Sequence, residues 1–352
     1  KFPKTLLPAT RDSFYPHHFK SLPGDNLIEL CGRICYDSCS QEKTRNSVDY
    51  HKHINDVNHG SVQESVNITI SFTEKSNDDL TYFCVDLMNR PGVSVYWEHG
   101  NKLRVTANIR AIREWNNNWN SILPRKYNYD SFGAEIQRIA REICPLAMEG
   151  CTECQFNPRY PQEGILESPI LDDEIWISYY LADVSRGLAM ELIRHKFRTH
   201  VSMRSTRYVD ESESDWSWHP LLLKYIDDEE FKNCTRIVAS EELAKENYRN
   251  IVCFLEGKLI AEGLDRFNAK KQSRGSARGI LGNALSTELI FGASLAQWKR
   301  IILQRCNDAA DAEIRLMCSK VFTDLLEKYG DRFGNFVSRP AIDGFGLHIS
   351  IQ

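Results

Sequence analysis

The sequence predicts an α+β fold in which an antiparallel or mixed sheet packs against long helices. Two kinds of pattern support this class. Short stretches that alternate apolar and polar residues indicate strands, and longer stretches with apolar residues three or four apart indicate helices. The two kinds follow one another irregularly, without the strand–helix–strand rhythm of a parallel sheet, so α+β is favoured over α/β.

The first third of the chain carries the strand signals. Residues 26–58 favour helices with local breaks. Ser65–Phe72 alternates strictly, which predicts a half-buried strand. Val93–Glu98 and Lys102–Thr106 flank His99-Gly100-Asn101, whose composition is typical of a hairpin turn. We therefore expect one strand followed by a β-hairpin in this part.

The rest of the chain is predicted to be mainly helical. Residues 116–172 favour loop, with one helix near 134–144. Apolar residues at helical spacing predict a helix over Ile177–Lys196. Two longer helices are predicted over residues 236–262 and 309–329, ended by Gly263 and Gly330.

Composition limits the classes of protein to which the chain can belong. Its 352 residues are 42% hydrophobic, which is enough for a real core and suits one large or two ordinary globular domains. The 44 Lys and Arg against 48 Asp and Glu give a net charge of −4, which excludes a polybasic nucleic-acid binder. Without a run of 18 apolar residues or an apolar leader, neither a membrane span nor a secretory signal is expected.

The eleven cysteines favour a reducing compartment, and we expect a cytoplasmic protein. Their number is odd and their density is far below that of a disulfide-stapled secreted domain. Cys151 and Cys154 form a CxxC pair with only Cys144 close by, so a structural zinc site is disfavoured and no metal is expected. Spacing by four residues predicts one shared helix face for Cys31, Cys35 and Cys39.

The densest chemical signal is the basic segment Arg194–Tyr208, RHKFRTHVSMRSTRY. Arginine side chains bind phosphate oxygens through two parallel hydrogen bonds, and Ser or Thr hydroxyls can complete such a site. A solvated basic surface explains the same composition equally well. A second basic cluster is weak by itself and consists of Lys270, Lys271, Arg274 and Arg278.

Common catalytic motifs are absent from the sequence. GxSxG, HExxH, GxxxxGK[ST] and GxGxxG do not occur. His51 and His53 form an HxH pair without a nearby acidic partner, and we interpret them as surface histidines.

Three separated motifs, in the same order, resemble the flavin-dependent thymidylate synthase family. His59-Gly60-Ser61-Val62-Gln63-Glu64 resembles the His-x-Ser-x-x-Glu element of the family. Arg194-His195-Lys196 followed by Ser205-Thr206-Arg207-Tyr208 resembles its Arg-His-Arg and Ser-x-Arg-Tyr signature. Ala277–Cys306 is similar to the closing segment that supplies two substrate arginines. The resemblance covers about residues 26–72 and 170–330 and implies the fold of this family.

The resemblance implies a reaction without a protein nucleophile. Family members bind FAD, which NADPH reduces, and they transfer a one-carbon unit from methylenetetrahydrofolate to C5 of dUMP, giving dTMP. Arg305 matches the arginine that stabilises negative charge on the pyrimidine, and is therefore the predicted catalytic residue. None of the eleven cysteines is followed by His, unlike the nucleophile of folate-only thymidylate synthases.

The resemblance also assigns binding residues for the nucleotide and for the flavin. The predicted dUMP-binding residues are Glu191, Arg194, Met203, Arg204, Ser205, Arg207, Arg278 and Arg305. The predicted FAD-binding residues are His59, Ser61, Glu64, Asn108, Arg110, Arg194, His195 and Lys196. Thr106-Ala107-Asn108-Ile109-Arg110 resembles an element of longer family members, so we treat residues 73–170 as an insertion within one domain. A separate binding module over 73–165 is the alternative.

Several positions depart from the family pattern. Lys196 replaces an arginine, and eight residues rather than seven separate it from Ser205. Met203 and Arg204 stand where Gln or Glu is expected beside the nucleotide, while Ser294 and Ala296 replace a flavin-binding Asn and Arg. Two alternatives therefore remain: a flavoenzyme of the same fold that modifies another pyrimidine nucleotide, and a non-catalytic nucleotide- or nucleic-acid-binding homologue.

The family assembles as homotetramers whose active sites are shared between subunits. We expect this assembly here, with a small nucleotide as substrate and neither nucleic acid nor membrane as partner. The sequence does not decide whether the long apolar-faced helices serve the core or an interface.

Overall fold

The computed structural model of the chain describes most of the second half and separate parts of the first. The described residues are 17–18, 24–38, 45–57, 59–73, 84, 87–88, 90–98, 102–114, 130–151, 165–166, 171–234 and 237–352. Within them the strands β1 to β10 are His17–His18, Asn67–Thr73, Val93–Glu98, Lys102–Asn108, Ile165–Leu166, Trp176–Ser185, Thr199–Met203, Ser286–Ser294, Phe336–Pro340 and Leu347–Ile351.

The helices outnumber the long strands. Across the described ranges, α1 to α11 are Gly24–Cys35, Ser47–Asp56, Ile109–Arg113, Asp130–Ile143, Arg186–Leu192, Pro220–Tyr225, Glu229–Cys234, Ile237–Ala261, Arg266–Ala277, Leu295–Arg305 and Ala312–Tyr329. Short 3₁₀ turns cover Gly60–Ser65, Arg278–Ile280 and Gly330–Phe333. None of the described helices is both long and apolar enough to cross a membrane.

The strands form two four-stranded sheets and a hairpin. The first sheet has the order β1-β6-β8-β7, the second has the order β3-β4-β2-β5, and β9 pairs with β10. Every strand pairing among the described residues is antiparallel. The predicted α+β class, with long helices packed on antiparallel sheet, is confirmed.

The predicted helix over Ile177–Lys196 is wrong in its first half. The chain forms strand β6 to Ser185, and the helix α5 begins at Arg186. The apolar residues also fit a period of two, which places Ile177, Tyr179 and Leu181 on one face of β6, each at most 1% exposed. A register shift after Leu181 and a left-handed Asp183 (φ 53°) return Val184 to the buried face.

Two main hydrophobic clusters hold the described parts together. Helices α10 and α11 pack on β6 and β8 around Trp298, whose Nε1 donates to the Ile177 carbonyl at 3.0 Å. Helix α1 packs with the second sheet around Ile28, Ile34 and Val105 in the other cluster. The basic signature contains β7, a half-buried edge strand of the first sheet.

Most other local predictions are confirmed. The strand β2, the hairpin strands β3 and β4 and the helix α4 lie where the patterns place them, while the hairpin turn at 99–101 lies outside the described residues. The long helices α8 and α11 occupy the two predicted stretches, and Gly263 has the left-handed φ of 98° expected beyond a helix end.

Two predictions about cysteines and histidines need comment. Cys31 lies buried on α1 and Cys35 is half-buried there, whereas Cys39 and Cys154 lie outside the described residues. The interpretation of His51 as a surface histidine is wrong, because its side chain is fully buried and its Nε2 lies 3.1 Å from the Asp25 carbonyl oxygen.

The predicted insertion contributes to the second sheet. Strand β4 pairs with β2 over seven residues, from Asn108 opposite Asn67 to Lys102 opposite Thr73. Arg104 on β4 also forms a buried, two-bond ion pair with Glu174, at 2.6 and 2.9 Å. This pair ties the inserted segment to the start of β6. That residues 1–352 form one domain with an insertion stays a prediction.

Candidate functional site

Arg305, the predicted catalytic residue, is the last residue of α10 and contacts two other predicted site residues. Its Nη1 donates to Glu191 Oε2 at 2.7 Å, and its Nε donates to His195 Nε2 at 3.0 Å. Burial, together with the Arg305 charge, lowers the pKa of His195. Because Nε2 accepts a hydrogen bond, the neutral imidazole carries its proton on Nδ1. The structure thus brings together a guanidinium, a carboxylate and a neutral histidine.

Arg194 and Lys196 follow α5 in an exposed loop beside this group. Neither side chain forms a hydrogen bond or an ion pair with the part of the chain that the structure describes. Two free cations next to Arg305 leave the loop able to bind an anion. Lys196, which stands where the family has arginine, keeps the positive charge but lacks the planar guanidinium.

Arg204 is held by internal hydrogen bonds. Its Nη2 donates to Glu211 Oε2 at 3.1 Å and to the Ser286 carbonyl at 2.8 Å. Its backbone N–H donates to the Glu288 carbonyl at 3.0 Å. Since Glu211 is only 1% exposed, this arginine neutralises a buried carboxylate. The geometry gives Arg204 a structural partner, and its predicted contact with the nucleotide stays a prediction.

Arg278 lies in the 3₁₀ turn after α9 and reaches the signature segment. Its Nη1 donates to Thr206 Oγ1 at 3.2 Å. Arg207, one residue further, is exposed and its backbone N–H donates to Ser205 Oγ at 3.4 Å. The second basic cluster and the signature therefore meet in space.

Arg186, which the sequence interpretation missed, lies beside these arginines. Its Nη1 is buried without a hydrogen-bond partner among the described residues. Burial lowers the pKa of Arg186; the Arg278 and Arg204 charges act in the same direction, and Glu211 opposes them. An unpartnered buried donor calls for a missing acceptor. Correct placement of the end of β6 would have revealed that Arg186 opens α5 and faces the signature.

A row of aromatic rings joins the His59 segment to the signature. The Tyr36 ring lies 5.8 Å from the His59 ring and 4.8 Å from the Tyr208 ring. Lys271 Nζ lies 5.1 Å from the centre of the Tyr208 ring, a cation–π distance. Ser205 N–H also donates to the Cys35 carbonyl at 3.0 Å. The end of α1 therefore brings the first and second motifs together.

The predicted flavin residues of the first motif contact those of the inserted strand. Glu64 forms a 2.7 Å ion pair with Arg110, whose Nε also donates to Glu114 at 2.9 Å. A Cβ added at Gly60 would lie 2.9 Å from Arg110 Nε, so a larger residue there would require the Arg110 side chain to shift. Ser61 is exposed.

Asn108 and the positions that depart from the family have local structural roles. Asn108 caps α3 by accepting a hydrogen bond from Ala111 N–H at 2.8 Å. Ser294 caps α10 in the same way through Gln297 N–H at 3.2 Å. Ala296 N–H donates to the Asp172 carbonyl, and Met203 ends β7 opposite Leu289. These contacts do not test the predicted binding roles.

The site residues form two groups at opposite ends of α5. The Arg305 group contains Glu191, near the end of this helix, whereas Arg186 at its start belongs to the arginine group with Arg204 and Arg278. A rise of 1.5 Å per residue separates Arg186 and Leu192 by about 9 Å. Among the described residues, no side-chain hydrogen bond joins Arg305 to the arginine group.

Comparisons with known proteins point to one family. Residues 174–329 match the family model described as thymidylate synthase complementing protein. The chain is 29% identical to a flavin-dependent thymidylate synthase of Mycobacterium marinum over 168 residues, 48% of this chain and 64% of the relative. It is also 29% identical to the corresponding protein of Mycobacterium leprae over 171 residues, 48% of this chain and 65% of the relative.

These matches leave part of each protein uncovered. The chain spans less than two thirds of the length of the two relatives. A search of solved structures finds Thymidylate Synthase X from Helicobacter pylori with FAD and dUMP, at 21% identity and a TM-score of 0.31, covering 45% of this chain and 71% of that one. The sequence matches confirm the predicted resemblance to the flavin-dependent thymidylate synthases.

Proposed function

We propose, from the resemblance confirmed over residues 174–329, that this chain is an FAD-dependent enzyme that methylates dUMP to dTMP. NADPH would be the reductant and methylenetetrahydrofolate the one-carbon donor. The observation that carries the proposal is the buried, unpartnered Nη1 of Arg186 beside Arg204 and Arg278. Arg204 forms an ion pair with the buried Glu211, whereas Arg186 and Arg278 form no ion pair among the described residues, so the group can accept a further anion.

A nucleotide phosphate fits the chemistry of this arginine group. Arg186 offers a free buried N–H, Arg207 is an exposed cation, and the Ser205 hydroxyl lies two residues before it. Charge-assisted hydrogen bonds from guanidinium to phosphate are about twice as strong as neutral ones. The group would therefore hold the phosphate of dUMP and orient the base away from it.

Arg305 would act on the pyrimidine. Methylation at C5 requires negative charge on the ring to be stabilised, and a permanently charged guanidinium does so in a partly buried site. Glu191 and His195 fix its orientation. Because the pKa of His195 is lowered, this imidazole stays neutral near pH 7 and adds no second positive charge to repel Arg305.

The residues also fit FAD. Arg194 and Lys196 provide unpartnered cations for its diphosphate, and His59, Ser61, Glu64 and Arg110 provide polar contacts. The adjacent row of Tyr36 and Tyr208 offers ring surface for stacking. When bound, FAD supplies the hydride that completes the methyl group.

The state of the buried thiols supports a reaction without a cysteine nucleophile. Burial raises the pKa of Cys31 to about 12 and that of Cys35 to about 11. Thiolate is the nucleophilic form, so these two cysteines near the signature are unreactive at neutral pH. The unpaired state of the described cysteines also supports the proposal of a cytoplasmic protein.

A homotetramer with shared active sites fits the surface of the helical hairpin α8–α9. Leu243 and Phe254 on α8 and Phe267 on α9 are 57%, 63% and 64% exposed. Contact with a second copy would cover these exposed apolar side chains. Contact with a second copy would also explain how the two groups at the ends of α5 serve one reaction.

The test is a visible absorbance spectrum of the purified protein with FAD, recorded anaerobically with NADPH before and after dUMP. Bleaching that dUMP accelerates supports the proposal, and turnover with methylenetetrahydrofolate then gives dTMP. If dUMP leaves the rate of bleaching unchanged, the result favours another pyrimidine nucleotide as the substrate. Failure to bind FAD contradicts the proposal. Salt-dependent binding to oligonucleotides instead would favour a nucleic-acid-binding homologue.

A further inference from the structure

The C-terminal hairpin β9–β10 contacts the chain immediately after Arg305. It lies beyond the segment that matches the family model, which ends at residue 329. Ile349 N–H donates to the Cys306 carbonyl at 2.7 Å. Asp308, two residues further, forms a 2.6 Å ion pair with Arg339 and accepts the Ile342 N–H at 3.0 Å. His348 Nδ1 also lies 2.9 Å from Asp308 Oδ2, so four hairpin residues contact the residues that follow α10.

The register of the hairpin shows that the Ile349 hydrogen bond lies on the edge of β10 that does not pair with β9. Ala341 N–H donates to the Gly346 carbonyl, and Gln352 N–H to the Asn335 carbonyl, so alternate residues of β10 face β9. The N–H groups of Leu347 and Ile349 consequently point away from β9. They donate to Ser319 Oγ at 2.8 Å and to the Cys306 carbonyl. One edge of β10 is thus bonded to α11 and to the end of α10.

Arg315 on α11 completes the connection. Its side chain is 1% exposed and forms an ion pair with Asp343 in the hairpin turn. Its Nε donates to the Phe345 carbonyl at 2.7 Å, and its Nη1 donates to the Asn307 carbonyl at 2.9 Å. A single buried guanidinium therefore joins the turn of the hairpin to the second residue after Arg305.

We propose that the C-terminal hairpin, acting through Arg315, is a positioning element for the Arg305 guanidinium. Arg305 is held at both ends: Glu191 and His195 bind its guanidinium, and the hairpin fixes the backbone that follows it. Within the described residues the Arg315 side chain forms no hydrogen bond to Arg305 or to another predicted site residue, so its effect passes through the backbone at Cys306 and Asn307. The proposal rests on the role of Arg305 in the proposed function.

Two variants of different severity test the proposal. Arg315→Lys keeps the charge but satisfies fewer of the three acceptors. Arg339→Ala is milder: it removes the ion pair to Asp308 and a hydrogen bond to the neighbouring Pro340 carbonyl, at an exposed position. Lys328→Ala is the matched control, because it removes an ion pair to Asp324 near the other end of α11 and lies outside the hairpin. All three are compared in full-length protein with FAD.

The expected result is a fall in kcat with dUMP, at least tenfold for Arg315→Lys and two- to threefold for Arg339→Ala, with Lys328→Ala unchanged. A second measurement is the titration of His195 by NMR of ¹³C-labelled histidine, assigned with His195→Gln. The Arg305 charge helps to lower the pKa of His195, so displacement of Arg305 raises that pKa towards 6.5. A loss of stability alone would not move it.

The outcomes separate the two proposals. If kcat and the His195 titration stay at wild-type values in both hairpin variants, the positioning role is wrong. If Arg315→Lys does not fold, Arg339→Ala decides by the same two measurements. If wild-type protein shows no turnover of dUMP, the proposed function fails, while the His195 titration still reports whether the hairpin controls Arg305.

Discussion

Replacement of Arg186 by methionine should weaken dUMP binding without a loss of stability. Methionine keeps an unbranched apolar stem and removes a guanidinium whose Nη1 is buried and unpartnered. One charge-assisted hydrogen bond to phosphate contributes about 1.5–3 kcal/mol, so the dissociation constant for dUMP should rise about 10- to 100-fold. Because burial already lowers the pKa of Arg186, the thermal midpoint of the free protein should stay level or rise.

Arg204→Met is the matched control for this prediction. It removes an arginine from the same group but leaves the buried Glu211 without its cation, a cost of about 3–5 kcal/mol. Calorimetric titration with dUMP and with deoxyuridine, which lacks the phosphate, measures binding, and thermal melting measures stability. Arg186→Met should leave the dissociation constant for deoxyuridine unchanged, because deoxyuridine has no phosphate. Unchanged dUMP affinity, or destabilisation equal to that of Arg204→Met, would refute the assignment of a phosphate site.

Three further predictions concern stability and local structure. Asn108→Ala removes the cap of α3 and should lower the free energy of unfolding, measured by urea titration, by about 1 kcal/mol. If Asn108 also binds flavin, Asn108→Ser should restore the stability but not the FAD affinity. Arg104→Met removes the guanidinium that pairs with the buried Glu174 carboxylate and should cost about 3–5 kcal/mol, most of which the double variant with Glu174→Met should recover. If the single and double variants are equally destabilised, packing and not charge governs the site. His200 is buried and its pKa is lowered to about 4, so between pH 6.5 and 4 the unfolded chain binds a proton that the folded chain does not. The free energy of unfolding should therefore fall by about 1.4 kcal/mol for each unit by which the pH is lowered across that window. The same slope in a His200→Gln protein would contradict this.

The sequence by itself determined those elements whose signals are local. Gly263 marks the end of α8 through its left-handed φ, because capping acts within one turn; Gly330 follows α11 but keeps a helical φ of −49° and begins a 3₁₀ turn. The hairpin β3–β4 follows from two alternating stretches around turn residues. The three motifs, read together, also predicted which family the chain resembles, and the family model confirms it over residues 174–329.

The tertiary structure decided everything that depends on burial and on distant partners. Both faces of β6 are covered, so its apolar residues fit a helical period as well as a strand, and only pairing with β8 distinguishes the two. The same holds for the arginines, which look alike in sequence. Arg204 is neutralised by Glu211 and Arg315 by Asp343, whereas Arg186 forms no ion pair with the described residues and its buried Nη1 has no partner there. Whether a cation is structural or free for a ligand depends on which carboxylate the fold brings to it, and residue type alone does not encode that.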